Sequence, residues 1–293
     1  IWYSHGATVR RDTCARFLDG IYLSFANQTH IEKSVLEDAG RYGLHTMYCQ
    51  DGRVIASLFR HNVAGCAIMF SNNLHLERNE FAHNRGSRTY GVLLRDCSAG
   101  TFTANRLVDN TIAMFMDNSN RNRINDNLVQ DNGWGVLLFS SCAKNTFAGN
   151  AFINNDYPVA LDMRRSDNRF DDGRRGNYWG ESAPYDLDGD GVSDVPYSPV
   201  SAFAFVSKQY PDLAILARSP AVAALAVAER VIPALRPSEV VDHFPMVRPP
   251  ALGGLAATPM TATRSRRAWG AALGFGALGA AGLAGLTARR SAA

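Results

Sequence analysis

The sequence predicts an all-β fold, a right-handed parallel β-helix followed by a short α-helical C-terminal segment. Three observations carry this: a repeat of about two dozen residues, columns of like residues running through it, and an abrupt end to the repeat at "GRRGNYWG". Aligned on a glycine-like position, the units read "GLHTMYCQDGRVIASLFRHNVA", "GCAIMFSNNLHLERNEFAHNRGSRTY", "GVLLRDCSAGTFTANRLVDNTI", "AMFMDNSNRNRINDNLVQDNGW" and "GVLLFSSCAKNTFAGNAFINND". A period this short, with β-branched and aromatic runs of three to five residues between Asn, Gly and Asp, has no room for a helix pair. It fits three short strands per coil. A leucine-rich solenoid has a similar period, but its leucine consensus is absent. Right-handed winding is the expectation for parallel crossovers.

Three columns define the register. An apolar residue recurs at Ile31, Val54, Leu76, Phe102, Ile124 and Phe147. A small polar one follows three later at Ser34, Ser57, Asn79, Asn105, Asn127 and Asn150, and an asparagine five further on at Asn62, Asn84, Asn110, Asn132 and Asn155. Coils stacked at the strand spacing of about 4.8 Å place equivalent side chains above one another. The apolar column then builds a continuous core. An asparagine at a turn can bond the backbone of its own turn or adopt a left-handed conformation. The repeat runs from about Gly20 to Phe170 and is expected to begin before residue 1. The organisation predicted is β-helix coils over 1–178, an acidic cap over 179–200, a helical and extended segment over 201–250, and a linker with an apolar tail over 251–293.

At 293 residues and 46% hydrophobic, the chain is long enough for a substantial core. Its net charge is only +3, with Lys and Arg scattered among Asp and Glu, so no basic stripe points to nucleic acid. The opening "IWYSHGATVR" has neither an initiator methionine nor a signal-peptide pattern, and reads as the start of a cut chain.

Beyond the repeat, "DLDGDGVSD" places carboxylates at Asp186, Asp188, Asp190 and Asp194, with Gly191 at the sixth position. That is the first nine positions of a calcium loop, with the Val192 carbonyl at the seventh. Tyr197 stands where a helix-loop-helix hand has its bidentate Glu, so any bound ion sits in a shortened, solitary loop. Many oxygen ligands on a flexible backbone favour Ca²⁺ over Mg²⁺. Its expected role is structural, clamping the end of the helix where an open edge invites aggregation. The alternative is a cluster of Asx turns exposing its carboxylates to water.

The five cysteines, Cys14, Cys49, Cys66, Cys97 and Cys142, show no zinc spacing. In the repeat register Cys49 and Cys66 are offset along their coils beyond disulfide reach. All five read as small buried hydrophobes. In "HTMYC", strand alternation sends the apolar positions inward, as at Val92 and Leu94, and therefore sends His45 and Met47 outward. Both are expected to be exposed, with Met69 directly above Met47. Thioether sulfur and imidazole together can hold a cuprous ion, although a lone histidine beside surface methionines is also a common coincidence. Met114 and Met116 fall at inward, core positions.

From "SAFAFVSKQYPDLAILARSPAVAALAVAERVIPALRP" the pattern changes to short helices broken by Pro211, Pro220 and Pro233, and "VVDHFPMVRPP" reads as extended. Residues 268–288 are 21 uncharged residues between basic flanks. That length either spans a bilayer or forms a flexible, weakly membrane-associated tail, because Ala and Gly contribute little transfer energy.

"GLHTMYC" and "AIMFSNN" on successive coils, the asparagine columns, "GRRGNYWGESAPYDLDGDGVSDVPYSP", "SPAVAALAVAERVIPALRP" and "VVDHFPMVRPP", in that order, resemble the NosD family over roughly residues 5–250. The repeat alone is shared with sugar-active β-helices such as pectate lyases. The specific part is the G-N-Y-W and D-x-D-x-D-G cap with the segments that follow. The resemblance implies a non-enzymatic periplasmic protein that works with the membrane subunit of an ABC transporter and a small copper chaperone. Its implied task is to deliver copper for the copper-sulfide cluster of nitrous-oxide reductase. It also implies copper at His45, Met47 and Met69, which match the family's H-x-M-Y stretch and the methionine of the next coil, with Phe70 where the family has Tyr. The apolar tail is outside the family pattern, and would account for membrane contact or tethering to the inner membrane. A competing class is an extracellular polysaccharide-active or polysaccharide-binding β-helix: a lyase, hydrolase or epimerase. Such enzymes need acid and base groups along an exterior groove. Here the outward columns offer Arg95 and Asp117 but no paired carboxylates.

Overall fold

The computed structural model describes residues 1–250 except 164, 181–184, 211–212, 214–215, 217–218 and 233–238. Contacts divide the chain into Ile1–Ala257 and Thr258–Ala293. The second unit, and with it the 268–288 segment, lies outside the described residues, as do Pro211 and Pro233. The first unit is a parallel β-helix. Its strands assemble into three sheets, every pairing between them parallel. Two sheets are built of short strands, running from Thr8–Arg10 to Thr146–Ala148 and from Thr13–Ala15 to Tyr178–Trp179. The third, from Asp19–Ser24 to Tyr157–Leu161, has strands of five or six residues.

The predicted columns are rows in space. Ile31, Val54, Leu76, Phe102, Ile124 and Phe147 are consecutive register partners in the first sheet, and all are buried. Inside the second sheet Phe59 stacks on Phe81 at 4.8 Å, and Phe152 on Trp179 at 4.5 Å. Each such buried ring contributes roughly 1.5–3 kcal/mol. Met114 and Met116 are core residues as expected. The glycine column has a steric cause: a Cβ on Gly43 would stand 2.6 Å from the Gly65 carbonyl oxygen, and one on Gly65 2.7 Å from that of Gly91.

The polar columns are hydrogen-bonded ladders, but they run between coils more than within a turn. The Asn79 amide donates to Asn105 Oδ1 at 3.0 Å, the Asn105 amide to Asn127 Oδ1 at 2.9 Å, and the Asn127 amide to Asn150 Oδ1 at 3.0 Å. The second ladder repeats this through Asn62, Asn84, Asn110, Asn132 and Asn155. The left-handed conformation falls on the residue before each asparagine: Arg78, Ala104 and Asp126 in one ladder, His83, Asp109 and Asp131 in the other. That residue turns the corner, and the next side chain points inward to bond the freed backbone groups. A third ladder through Asn122, Asn145 and Asn168 was not read from the sequence.

The cap closes the second sheet. Met246 bridges Tyr178 in parallel and Val192 in antiparallel fashion, and Tyr197 pairs with Asp242. The 242–247 segment alternates single bridges at Asp242 and Met246 with bends, and lies between the last coil and the acidic loop. Two helices follow the loop, α1 (Ala202–Gln209) and α2 (Pro220–Val231), with Ser201 and Ser219 as N-caps. Pro220 starts α2 instead of breaking a helix, because the first helical turn does not need its missing N–H.

Candidate metal centre

In the third sheet Met47 faces Met69 directly across neighbouring strands, and His45 lies two residues back on the same face. His45 is not exposed as the alternation implied: it is 6% exposed, while Met47 and Met69 are partly buried. Alternation sets a side chain's direction and says nothing about what covers it. The outer face of this sheet carries its own apolar cluster, with Ala64, Ala67, Leu93 and Phe115 at its centre and Tyr42, Met69 and Tyr90 around them. The His45 ring lies 4.8 Å from Tyr22 and 4.8 Å from Tyr42.

One residue group that the sequence reading missed orients this histidine. Asp19 Oδ2 is 3.1 Å from His45 Nδ1, and Asp19 also accepts from Arg41 Nε at 2.8 Å and from Arg41 Nη2. Burial opposes ionisation of Asp19, but Arg41 and His45 outweigh it and hold its carboxyl below the ordinary range. Burial lowers the His45 pKa, Asp19 offsets this in part, and the Arg41 charge adds to the lowering. A neutral His45 donating from Nδ1 to Asp19 leaves a lone pair on Nε2. That atom is buried without a hydrogen-bond partner. Tyr22 completes the surroundings, its hydroxyl 3.7 Å from Met47 Sδ. A signal for Asp19 was available, since aligning "DGIYLS" under "YGLHTM" places it beside Tyr42.

Along the neighbouring corner runs an exposed aromatic stack, Tyr3–Phe25–Tyr48–Phe70, with centroids 4.9, 4.9 and 5.1 Å apart. Phe70 stacks as Tyr48 does.

In the acidic loop, Asp186, Asp188 and Asp190 each bring a carboxylate oxygen within 4.8 Å of the others. Gly189 and Gly191 take positive φ, and their amides donate to Asp186 at 2.7 and 3.1 Å. The Val192 amide donates to Asp190, and Asp194 accepts from the Leu187 amide at 2.8 Å, outside the three-carboxylate group. Arg95 and Asp117 form an exposed ion pair at 3.5 Å.

All five cysteines are free. Cys49, Cys66, Cys97 and Cys142 are buried and Cys14 is partly so. Burial pushes the thiols up, Cys97 to about 11 and Cys66 further.

A family profile described as periplasmic copper-binding protein (NosD) matches residues 1–184. Two curated proteins are similar to the chain, each named probable ABC transporter binding protein NosD. The one from Pseudomonas aeruginosa is 32% identical over 176 residues, covering 55% of this chain and 41% of its own length. That from Stutzerimonas stutzeri is 29% identical over 199 residues, covering 63% and 45%. The chain thus spans under half the length of these relatives. Among solved structures, the A-module of the Azotobacter vinelandii mannuronan C-5 epimerase AlgE4 is similar at a TM-score of 0.48 and 18% identity. That match covers 54% of this chain and 50% of the other.

Proposed function

The chain belongs to the NosD family of periplasmic copper-binding proteins, and from that premise we propose that its β-helix holds a cuprous ion at His45, Met47 and Met69 for transfer. The observation that carries the reading is the buried, unpartnered His45 Nε2, which stands on the same strand face as the paired methionines. A buried imidazole lone pair without a donor costs free energy that a metal ion would recover. Asp19 supports the reading further, because a histidine ligand commonly donates its other ring N–H to a carboxylate. Thioether ligands favour Cu(I) over divalent ions. Copper held here is cargo, destined for the copper-sulfide cluster of nitrous-oxide reductase. The partners in this reading are the membrane subunit of an ABC transporter, a copper chaperone that loads the site, and the reductase that receives the ion.

Competition against a colorimetric Cu(I) chelator tests the site. Replacing His45, Met47 and Met69 together with Ala is expected to abolish tight binding, and Asp19→Asn to weaken it by about 10- to 100-fold. Because burial holds His45 below its ordinary pKa of 6.5, wild-type affinity should stay level down to about that pH and fall only below it. Unchanged affinity in the triple variant would reject the site.

The Asp186, Asp188 and Asp190 cluster, with the Val192 carbonyl and Asp194 in support, is assigned to a structural Ca²⁺ in the same reading. Calcium should raise the unfolding temperature of the wild type, and Asp188→Asn with Asp190→Asn should remove that increment.

A further inference from the structure

A second cluster of metal-ligating side chains stands at another corner of the solenoid. Asp38, His61, His83 and Asp109 occupy the same turn position on four consecutive coils, each with the left-handed φ of that corner, 53°, 56°, 56° and 58°. Identical backbone geometry on stacked coils sends their side chains out side by side. The His61 and His83 rings stack at 5.7 Å, inclined by 21°. A carboxylate flanks each end: His83 Nδ1 is 2.7 Å from Asp109 Oδ2, and His61 Nδ1 is 3.7 Å from Asp38 Oδ1. Arg85 also pairs with Asp109. Both histidines are about half exposed, at 51% and 53%, and neither Nε2 has a hydrogen-bond partner among the described residues.

We propose that the His61–His83 pair is a metal site for a divalent first-row ion held through imidazole nitrogens, taking Cu(II) in preference to Zn(II). With the His83 Nδ1–H given to Asp109 at 2.7 Å, and the His61 Nδ1 edge facing Asp38 at 3.7 Å, beyond hydrogen-bond reach, each ring leaves its Nε2 toward solvent. For His83 this is the arrangement in which an outer carboxylate orients a histidine ligand. Imidazole without sulfur suits Cu(II), Zn(II) and Ni(II), and copper heads that order. The methionine face offers the opposite chemistry. An ion about 2.0 Å from each nitrogen needs the two nitrogens within about 4 Å of each other. Exposed side chains on adjacent coils reach this by turning about χ2, and water completes the coordination. The site does not depend on the cuprous reading of His45, Met47 and Met69.

The experiment is titration of the metal-free full chain with Cu(II) at neutral pH against a competing chelator, with electron paramagnetic resonance of the bound ion. The wild type should hold one ion with two nitrogen ligands. His61→Gln and His83→Gln should each weaken it at least about tenfold and alter the spectrum, and Asp109→Asn should weaken it by about tenfold. His75→Gln should leave it unchanged, and so should the triple variant of His45, Met47 and Met69, which separates this site from the cuprous one. A parallel Zn(II) titration should show the same variant pattern at lower affinity. No ion bound with nitrogen ligation, or equal affinity and spectrum in wild type and both histidine variants, overturns the proposal.

Discussion

Asp242 accepts the indole N–H of Trp179 at 2.8 Å, joining the last coil to a residue 63 positions later in the chain. The same carboxylate takes the Asn177 amide at 2.7 Å and the Phe244 amide at 3.0 Å, and it is fully buried. Asn177 in turn accepts the Asn150 amide at 3.1 Å. Asp242 therefore terminates the asparagine ladder, doing for the last coil what an asparagine of a further coil would do. The G-N-Y-W motif is the other half of this contact.

Burial raises the Asp242 pKa to about 6, against its ordinary 3.8, even though four donated hydrogen bonds favour its charge. Below 3.8 the group is protonated in both folded and unfolded chains, and its contribution to stability is full. Between 3.8 and 6 the folded chain keeps a proton that the unfolded chain releases, so stability falls as pH rises, by roughly 3 kcal/mol in all. Denaturant unfolding across pH 3.5–7.5 should show this decline in the wild type and lack it in Asp242→Asn. Parallel pH profiles for the two would sink the assignment.

Gly176 is required by the same contact. A Cβ there would stand 1.8 Å from Asp242 Oδ1, a clash with a buried carboxylate that has no room to retreat. Gly176→Ala should cost about 3 kcal/mol and free the cap, read as faster hydrogen exchange at Asn177 and Tyr197. Gly189→Ala is the contrast. Its added Cβ meets nothing within 4 Å, and its cost comes only from the positive φ of 77°.

Asn110 makes bonds in both directions along its ladder. It accepts from the Asn84 amide and side chain at 3.2 and 2.8 Å, and donates to the Phe81 carbonyl at 2.9 Å and to Asn132 at 3.1 Å. Asn110→Ala leaves the buried Asn84 amide unpaired and removes a second bond to the Phe81 carbonyl, which keeps its strand pairing, at about 1–3 kcal/mol in all. Urea unfolding should register a loss of about 2 kcal/mol, and Asn110→Asp should not restore it fully, since a carboxylate cannot donate to Phe81. A loss under about 1 kcal/mol in Asn110→Ala would mean the ladder is not a stabilising element.

Free thiols in an oxidising compartment need protection from chemistry. Burial supplies it here, keeping the four interior cysteines protonated and inaccessible. An aromatic disulfide reagent at pH 8 should titrate no more than Cys14 in the native chain, and all five thiols after unfolding. Rapid reaction of a second thiol in the native chain would contradict this placement.

Period and column chemistry were enough to place the strands, the core row from Ile31 to Phe147, and the partnership of Met47 with Met69, since all three depend on register alone. Of the two roles open to an asparagine at a turn, bonding backbone and turning left-handed, the asparagines take the first and the preceding residue the second, because the corner needs both and a sequence column does not distinguish them. His45 was assigned its correct side of the strand but the wrong environment. Its cover comes from Tyr22 and Tyr42, whose aromatic rings sit beside it only once the coils are stacked.

By itself, then, the sequence determined what repeats: coil length, the rows of apolar and amide side chains, and the acidic loop, because a regular winding turns linear spacing directly into vertical neighbours. Only the tertiary structure decided what does not repeat: Asp19 holding His45, Asp242 reaching Trp179 and the imidazoles of His61 and His83 flanked by carboxylates. Those depend on burial and on side-chain direction at single corners, and neither follows from a period.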